Sequence, residues 1–588
     1  MASFFDGQVS RRDLFRKAGA GIGVLAAGRH LLSGTARAAA EASAEPLMIA
    51  HVKVRGSAQA RLLALFDDTH ARPASDTAEL LLWPGDLARL ADLGFTDVKI
   101  VVDDVVATDA AAAREASGAT AGLAAPGPNF NDYRRLSNYV SELQQMPLTY
   151  PYQARLITLP EKTLEGRTVY GIEIAGNVHA IDGRPTAYVD GVHHAREWPA
   201  GEYPIYFAYH LLEGYGKDAR VTQLLDAARV IIVPIQNPDG FNHSRESALQ
   251  VDALGIVAGG QEGYWRKNKR GAVSEEASGL GQNPGSYGID TNRNYPFLWG
   301  ATTGGAAGLV DPVPAYASTS PNPFDQTYYG EDALSEPENR NVARLLLARG
   351  VLGMITNHTS GRLVLRPWGH TAEETVDEDL MAGLGAQMAT AMGGYTNQIG
   401  LGLYPTTGTT DDWYYAAAAA IGYTFEHNTA FHPSYVSGTN AVKVFWPKAI
   451  EAFMLLCEAV ADPAKHCVIR GRTVDITQGE EPVPVVTSLN IHKEFETPMW
   501  PQGATGIGPL LNQKTSTHEV IDVNSASALD GEIEWHVNPT TRPIEAAANQ
   551  TETVRLTISA PGYQPVVEDV SFRRGEVLDL GDVPLTPA

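Results

Sequence analysis

The run Gly191-Val192-His193-His194-Ala195-Arg196-Glu197-Trp198 directly follows an apolar segment, Thr186 to Val189, that predicts a buried strand. His194 and Glu197 are three residues apart, and on a tight turn both side chains can reach one metal ion. Zn²⁺ favours such nitrogen and oxygen ligands in catalytic sites, where one position stays open for water. A bare H-x-x-E pair is also common by chance, as two solvated side chains on a loop. The pair therefore indicates a metal site only if further ligands are available.

Two other apolar segments end in residues that suit such a site. The predicted strand Val351 to Thr356 is followed by His358, and the strand Gly422 to Phe425 is followed by Glu426. Sites in open α/β sheets form beyond the carboxyl ends of the strands, where a ligand and a base are needed. Each residue taken singly is more simply a surface loop residue. Together with His194 and Glu197, they favour a catalytic zinc site with Glu426 as its base.

Residues 130–462 alternate between apolar strands and helical patterns. This alternation predicts an α/β domain whose sheet is covered on both faces. The predicted strands include Val230 to Ile235 and Tyr423 to Phe425, and the helical patterns include Glu338 to Leu347 and Val442 to Val460.

Residues 45–106 predict a small α/β module that precedes this domain. Its segments follow the order strand, helix, strand, helix, strand. They are Leu47 to Val54, Ala58 to Phe66, Glu79 to Trp83, a helix opened by Pro84, and Asp97 to Val102. Residues 107–129 are rich in Ala, Gly and Pro without periodicity, which indicates a linker.

Residues 466–588 have a different texture, with short alternating segments and almost no helical pattern. Such segments, separated by turn residues such as Pro561-Gly562, predict a C-terminal β-sandwich. The predicted strands are Val468 to Thr477, Val520 to Val523, Ile533 to Val537, Thr553 to Ile558 and Val566 to Phe572.

Length and composition limit the possible functions. With 588 residues, the chain is too long for one hydrophobic core, so several domains are expected. The 45 Lys and Arg residues against 68 Asp and Glu residues give a net charge of −23, which makes nucleic acid an unsuitable partner. Cys457 and Cys467 are close in sequence and can form either one disulfide or two buried thiols.

Residues 1–40 have the features of a twin-arginine export signal. The pair Arg11-Arg12 precedes a short apolar run, Ala18 to Gly28, and a cluster of small residues, Ala36 to Ala40, that suits signal cleavage. The apolar run is too short to span a bilayer, so no transmembrane segment is expected. The alternative is an ordinary amphipathic helix with a chance arginine pair. The sequence predicts export to the periplasm or the extracellular space.

The central region resembles the zinc carboxypeptidases of the pancreatic carboxypeptidase A and B type, peptidase family M14, as a bacterial exported member. Its motifs occur in the order of that family. The run His194 to Trp198 resembles the zinc-binding motif, with Arg196 facing the substrate, and Asn357-His358-Thr359 matches the third ligand. The resemblance implies one Zn²⁺, bound by His194, Glu197 and His358, in a mixed-sheet catalytic domain.

The same resemblance assigns roles to further residues. Trp265-Arg266-Lys267 matches the segment whose arginine polarises the scissile carbonyl, and Asp290-Thr291-Asn292-Arg293-Asn294 matches the segment that holds the terminal carboxylate of the substrate. The roles are chemically reasonable, because a carbonyl oxygen that gains charge needs an electrophile and a planar carboxylate suits a bidentate guanidinium. Tyr404 and Glu426 match the mobile tyrosine and the catalytic glutamate.

Two positions bear on substrate preference. The family usually has a tyrosine two residues after the third ligand, where this chain has Ser360. Asp411, the first of two adjacent aspartates, matches the pocket residue of the carboxypeptidases that remove basic residues, or it is a solvated acid at a helix start. His193 and His427 flank the proposed site residues and are expected not to be ligands.

Three functions remain open at this point. The first is a carboxypeptidase acting on peptides with a free C-terminal carboxylate. The second is a zinc amidohydrolase of the same superfamily acting on cell-wall peptides or N-acyl amino acids, and the third is a non-catalytic binding protein. The N-terminal module resembles the family's prosegments in pattern and position, or it is a permanent accessory domain. The C-terminal region resembles the transthyretin-like domain of the regulatory carboxypeptidases, with an unknown partner.

Overall fold

The computed structural model of the protein describes residues 45–588 except 56, 72–73, 75, 109–131, 248–260, 272–287, 302–317, 324, 479–480, 500–514 and 539–551. The predicted export signal therefore lies outside the described residues, as does nearly all of the predicted linker.

In the residues that the structure describes, the N-terminal module is a four-stranded antiparallel sheet with two helices. Its strand order is β2-β3-β1-β4. The elements are β1 (Met48–Lys53), α1 (Ser57–Leu65), β2 (Asp67–Asp68), β3 (Thr77–Leu82), α2 (Asp86–Asp92) and β4 (Val98–Val102). The predicted α/β module is confirmed, with β2 as an addition. Val52, Leu62, Leu80 and Leu90 form a core of its own.

Among its described residues, the middle region forms an eight-stranded mixed sheet with eight α-helices. The strands are β5 (Ala154–Lys162), β6 (Thr168–Ile174), β7 (Thr186–Gly191), β8 (Arg229–Val233), β9 (Val351–Thr359), β10 (Leu363–Arg366), β11 (Thr396–Ile399) and β12 (Ile421–His427). The helices are α3 (Leu136–Thr149), α4 (Pro199–Gly214), α5 (Ala219–Ala227), α6 (Pro238–Ser247), α7 (Pro337–Arg349), α8 (Glu378–Ala391), α9 (Thr410–Ala418) and α10 (Val442–Ala461).

The large sheet has the order β11-β10-β12-β9-β7-β8-β6-β5. Its four central strands, β12, β9, β7 and β8, are parallel, and every residue in them is buried. Both faces of a sheet must be covered to bury all its residues, which explains why these strands are continuous apolar runs. The predicted mixed α/β sheet is confirmed. The outer strands β5, β6, β10 and β11 were not predicted.

The described part of the C-terminal region forms two small sheets. One has the order β14-β13-β17 with β20 also paired to β13, and the other has the order β16-β15-β18-β19. The strands are β13 (Cys467–Asp475), β14 (Val483–Pro484), β15 (Ser488–Pro498), β16 (Ser516–Ala526), β17 (Glu532–Val537), β18 (Glu552–Ser559), β19 (Val566–Phe572) and β20 (Val577–Leu585). Both sheets contribute to one buried cluster that continues into the middle region, in agreement with the predicted β-sandwich.

Two further predictions concern cysteines and membranes. Cys457 and Cys467 are both buried and free, so the structure has two buried thiols and no disulfide between these residues. Across the described ranges, no helix is both long and apolar enough to cross a bilayer.

Candidate metal centre and active site

A sharp turn after β7 brings the first two proposed ligands into position. Gly191 ends the strand, and a Cβ atom there would lie 2.1 Å from the carbonyl oxygen of Ala200, so only glycine fits. Val192 follows with φ of 57°, in the left-handed region. The chain therefore reverses within a few residues of the strand end, and His194 and Glu197 face the neighbouring strand β9.

His194, Glu197 and His358 meet in one buried cluster whose ligand atoms all lie within 4.8 Å of one another. Nδ1 of His194 lies 2.7 Å from Oε1 of Glu197, and Nδ1 of His358 lies 3.0 Å from Oε2 of the same carboxylate. Burial acts to raise the pKa of Glu197, but the two imidazoles hold it well below its usual value. The carboxylate is therefore charged, as a metal ligand must be.

This donor set fits a zinc ion. Two imidazole nitrogens and one carboxylate are a common protein ligand set for a catalytic Zn²⁺. Nε2 of His194 lies 3.0 Å from Oδ1 of Asp290, so a second carboxylate orients the ring. Metal-binding histidines usually have such a partner. Asp290 lies in the segment Asp290 to Asn294, but its role beside His194 was not predicted, because the two residues are 96 positions apart in sequence.

Glu426 lies beside this cluster. It is the residue of β12 that pairs in register with His358 of β9. The side chain is buried, and its Oε2 atom has no hydrogen-bond partner among the described residues. A buried acceptor without a partner is costly, and it is the atom that a water molecule at the metal would satisfy.

Arg266 and Arg293 are both buried but have different surroundings. Arg266 donates to Oδ2 of Asp290 over 2.9 Å, so Asp290 joins this guanidinium to His194. Arg293 donates to the carbonyl of Ser318 and to the hydroxyl of Tyr404, 3.1 and 3.2 Å away. Within the described part of the chain Arg293 forms no ion pair, although only 2% of its surface is exposed. A buried cation of this kind is suited to a carboxylate ligand.

Asn292 and Asp411 lie in the same neighbourhood of the sheet edge. Asn292 accepts hydrogen bonds from the backbone and side chain of Thr410, each 3.1 Å long, which ties this loop to the start of α9. Asp411, in the first turn of α9, accepts from Thr424 of β12 over 3.0 Å. Burial and the neighbouring Asp412 raise the pKa of Asp411 to about 6.

Arg196 and Tyr404 are in contact with the N-terminal module. Arg196 makes a buried two-pronged ion pair with Asp67 of β2, with Nη2 to Oδ1 at 2.5 Å. Its guanidinium also lies over the ring of Phe431. Tyr404 packs against the core of the module. Both residues that the sequence places at the substrate are therefore engaged by the chain's own residues.

His70 of the module reaches the proposed base. Its Nδ1 atom lies 3.4 Å from Oε1 of Glu426, and its Nε2 atom lies 3.4 Å from the hydroxyl of Tyr404. Burial lowers the pKa of His70, but the carboxylate of Glu426 outweighs it and raises the pKa to about 10. Ser360 donates to the carbonyl of Thr69 over 3.0 Å. The small side chain at position 360 leaves room for this segment of the module.

The two flanking histidines lie behind the cluster. His193 stacks on His358 and contacts Thr356 and Thr410, while His427 contacts Asn357. Neither is in the group of described side chains that could hold a metal ion. Their contacts brace the strand ends that carry the proposed ligands.

The comparisons agree with this geometry. Residues 139–450, more than half of the chain, match the family model of the zinc carboxypeptidases, Peptidase_M14. Zinc carboxypeptidase A 1 of Anopheles gambiae is 30% identical over 312 residues, which are 51% of this chain and 61% of that protein. Human carboxypeptidase A1 is 26% identical over 305 residues, 51% of this chain and 63% of that protein. The chain thus spans about three fifths of the length of these curated relatives.

A solved structure shows the same fold. Carboxypeptidase A from Helicoverpa armigera superimposes with a TM-score of 0.53 and 20% identity, covering 71% of this chain and 98% of that one. The chain belongs to the Peptidase_M14 family of zinc carboxypeptidases.

Proposed function

We propose that the protein is a zinc-dependent carboxypeptidase of the pancreatic A/B type, held in a latent form by its N-terminal module. The observation that carries the exopeptidase function is Arg293, a buried guanidinium beside the candidate metal site that forms no ion pair within the described residues. An exopeptidase must recognise a free terminal carboxylate, and a planar guanidinium binds one in two-pronged geometry. Asn292 and Tyr404 lie next to it and are the further carboxylate-binding residues.

The remaining residues have complementary roles in peptide hydrolysis. Zn²⁺ held by His194, Glu197 and His358 would supply an acidified water and polarise the scissile carbonyl. Glu426 accepts a proton from the water at Oε2 and returns it to the leaving amine. Arg266 donates to the carbonyl oxygen as it gains negative charge. Arg196 binds the peptide once Asp67 has left.

A zinc amidohydrolase acting on cell-wall peptides or N-acyl amino acids would use the same metal centre. The two functions differ in the need for a C-terminal carboxylate. The test compares hydrolysis of matched peptides with a free and an amidated C-terminus by the module-free enzyme. Equal rates for the two peptides would contradict the carboxypeptidase function.

We expect catalysis to require the three proposed ligands. A chelator should abolish hydrolysis and Zn²⁺ should restore it. His358→Ala should lose stoichiometric zinc, because two ligands hold the ion much less tightly than three. Zinc content by mass spectrometry and turnover are measured together, with His492→Ala on the C-terminal sheet as the control. A His358→Ala protein with full zinc content and activity would contradict the site.

We further propose a preference for basic C-terminal residues, carried by Asp411. This carboxyl is buried and forms no ion pair in the described ranges, so a Lys or Arg side chain would compensate its charge. kcat/KM should favour a peptide ending in Arg over one ending in Leu by at least about tenfold. Asp411→Ala should remove this preference, whereas Asp379→Ala, at an exposed aspartate of α8, should keep it.

The pKa of Asp411 adds a pH dependence to this preference. Because the pKa is raised to about 6, the carboxyl is charged above that pH and neutral below it. The ratio of kcat/KM for the Arg and Leu peptides should therefore fall as the pH decreases through about 6. A ratio that is the same at pH 5 and pH 8, or one that Asp411→Ala leaves unchanged, would show that Asp411 does not bind the C-terminal side chain of the substrate.

Export by the twin-arginine route is also a proposal, supported by the order of features in residues 1–40. Replacing Arg11 and Arg12 with Lys should leave the precursor in the cytoplasm, because the receptor of this route reads the arginine pair. Cell fractionation and immunoblotting measure the distribution. Unchanged export of the double variant would point to a different route.

A further inference from the structure

A cavity of about 320 Å³ lies between the large sheet and the C-terminal sheets, far from the catalytic edge. It is lined by the first residues of three central strands, Thr186 of β7, Arg229 of β8 and Val351 of β9. His358 lies seven residues further along β9, roughly 20 Å away for an extended strand. The volume is at the lower end of the range of small-molecule sites.

The wall from the middle region is rich in arginine. Arg155, Arg184, Arg229 and Arg349 line the cavity, and Asp182 is the one acidic side chain among the described lining residues. Behind them the fully buried Glu173 binds three of the four guanidinium groups, with Arg155 and Arg349 each at 2.5 Å and Arg229 at 3.1 Å. Four cations against two carboxylates leave an excess of positive charge, although the whole chain carries a net charge of −23. The excess favours an anion in the cavity.

Donors remain for such an anion. Arg349 has one ionic partner within the described residues, Glu173, which engages only Nη2. Arg155 binds the same carboxylate through Nε and Nη2. Nη1 of Arg155, and Nε and Nη1 of Arg349, have no hydrogen-bond partner among the described residues and can bind such an anion. Their side chains are 44% and 28% exposed, which places them at the mouth of the cavity.

The opposite wall comes from the C-terminal sheets and is mainly apolar. Ile521, Val523, Trp535 and Phe572 line this side. Asn538 lies among them, and only 7% of its surface is exposed. Its Nδ2 donates to the carbonyl of Leu352, whereas its Oδ1 has no partner among the described residues. A buried acceptor without a donor is costly, so this atom points to a ligand that carries an N–H or O–H group.

We propose that this cavity binds a small amphipathic carboxylate with an N–H group, in chemical class an N-acylated amino acid with an apolar side chain. The carboxylate pairs with Arg349 and Arg155 at the mouth, and the side chain packs on Trp535 and Phe572. The N–H group donates to Oδ1 of Asn538. Inorganic phosphate would satisfy the arginines but has no apolar body to cover this wall. A free amino acid would bring its ammonium group towards the arginines.

The test is a calorimetric titration of the full, uncleaved chain with N-acetyl-leucine. N-acetyl-leucinamide and inorganic phosphate are titrated in parallel and should bind more weakly. Arg349→Gln should weaken the binding of N-acetyl-leucine by between about tenfold and a hundredfold, the usual loss for a charge-assisted hydrogen bond. Arg344→Gln is the matched control, because Arg344 lies on the same helix, is 58% exposed and pairs with Glu161. It should bind like the parent.

A substitution at Arg293 tests whether the ligand binds in this cavity or at the catalytic edge. Arg293→Gln should leave the calorimetric binding unchanged. Binding that is lost with Arg293→Gln and kept with Arg349→Gln would assign the ligand to the active site and overturn the inference. Equal affinity of the parent and Arg349→Gln would also overturn it, as would phosphate binding that matches or exceeds that of N-acetyl-leucine. If the melting temperature shows that Arg349→Gln is not folded, Arg155→Gln, at a more exposed position, is titrated in its place. Its affinity for N-acetyl-leucine should fall in the same way, and an affinity equal to that of the parent would overturn the inference.

Discussion

Cleavage between the N-terminal module and the catalytic region is expected to raise kcat/KM for peptide hydrolysis by at least about a hundredfold. In the intact chain a substrate must displace two buried ion pairs, Asp67 with Arg196 and His70 with Glu426. Leaving one partner of such a pair buried without the other costs about 3–5 kcal/mol, so a peptide that displaces only one partner of a pair meets this penalty. Because the pKa of His70 is raised to about 10, the imidazolium faces the proposed base at neutral pH. The intact protein should therefore be nearly inactive.

The experiment compares the intact chain with a chain cleaved by a protease in the predicted linker, residues 107–129. The uncleaved double variant Asp67→Ala/His70→Ala should reproduce much of the increase, since it removes both ion pairs between the module and the site. Asp76→Ala is the control, because Asp76 pairs with the exposed Arg55 inside the module and not with the catalytic region. Equal rates before and after cleavage, with both forms folded and loaded with zinc, would make the module a permanent accessory domain.

Glu426→Gln is expected to lower kcat of the cleaved enzyme by about 10²–10⁴-fold, the usual contribution of a general base. The amide has nearly the same shape as the carboxylate but cannot accept the proton of the water. Zinc content should be unchanged, because the side chain lies beside the His194, Glu197 and His358 cluster and is not one of its members. KM should change little if the terminal carboxylate is bound by Arg293.

Glu458→Gln provides the matched control for this substitution. Glu458 lies on α10, is half exposed and pairs with Arg220. It should have the kcat of the parent enzyme. If the Glu426→Gln enzyme has normal turnover, Glu426 has a structural role and is not the general base. If the variant loses zinc, its lower activity is due to loss of the metal.

The central strands and the order of the proposed site residues could be predicted from the sequence. β7, β9 and β12 are buried on both faces, so each contains a mainly apolar run. The polar residues that follow these runs include His194, His358 and Glu426. In the outer strand β5 only Ala154 and Leu159 are buried and three of the nine residues are charged, and such a segment looks like a loop in sequence. This is why β5 was not predicted while its buried neighbours were.

Contacts that join distant parts of the chain could not be predicted in this way. The position of Asp290 behind His194, and the pairing of Asp67 with Arg196 across 129 residues, leave no local pattern of periodicity or spacing. They exist because the folded chain buries these charges in one place, where each must find a partner of opposite sign. The sequence by itself therefore determined the fold class and the set of residues proposed for the chemistry. Only the tertiary structure decided that the module's Asp67 and His70 lie against Arg196 and Glu426, because burying the module's face on the catalytic edge takes these charges out of water, where each needs a partner of opposite sign.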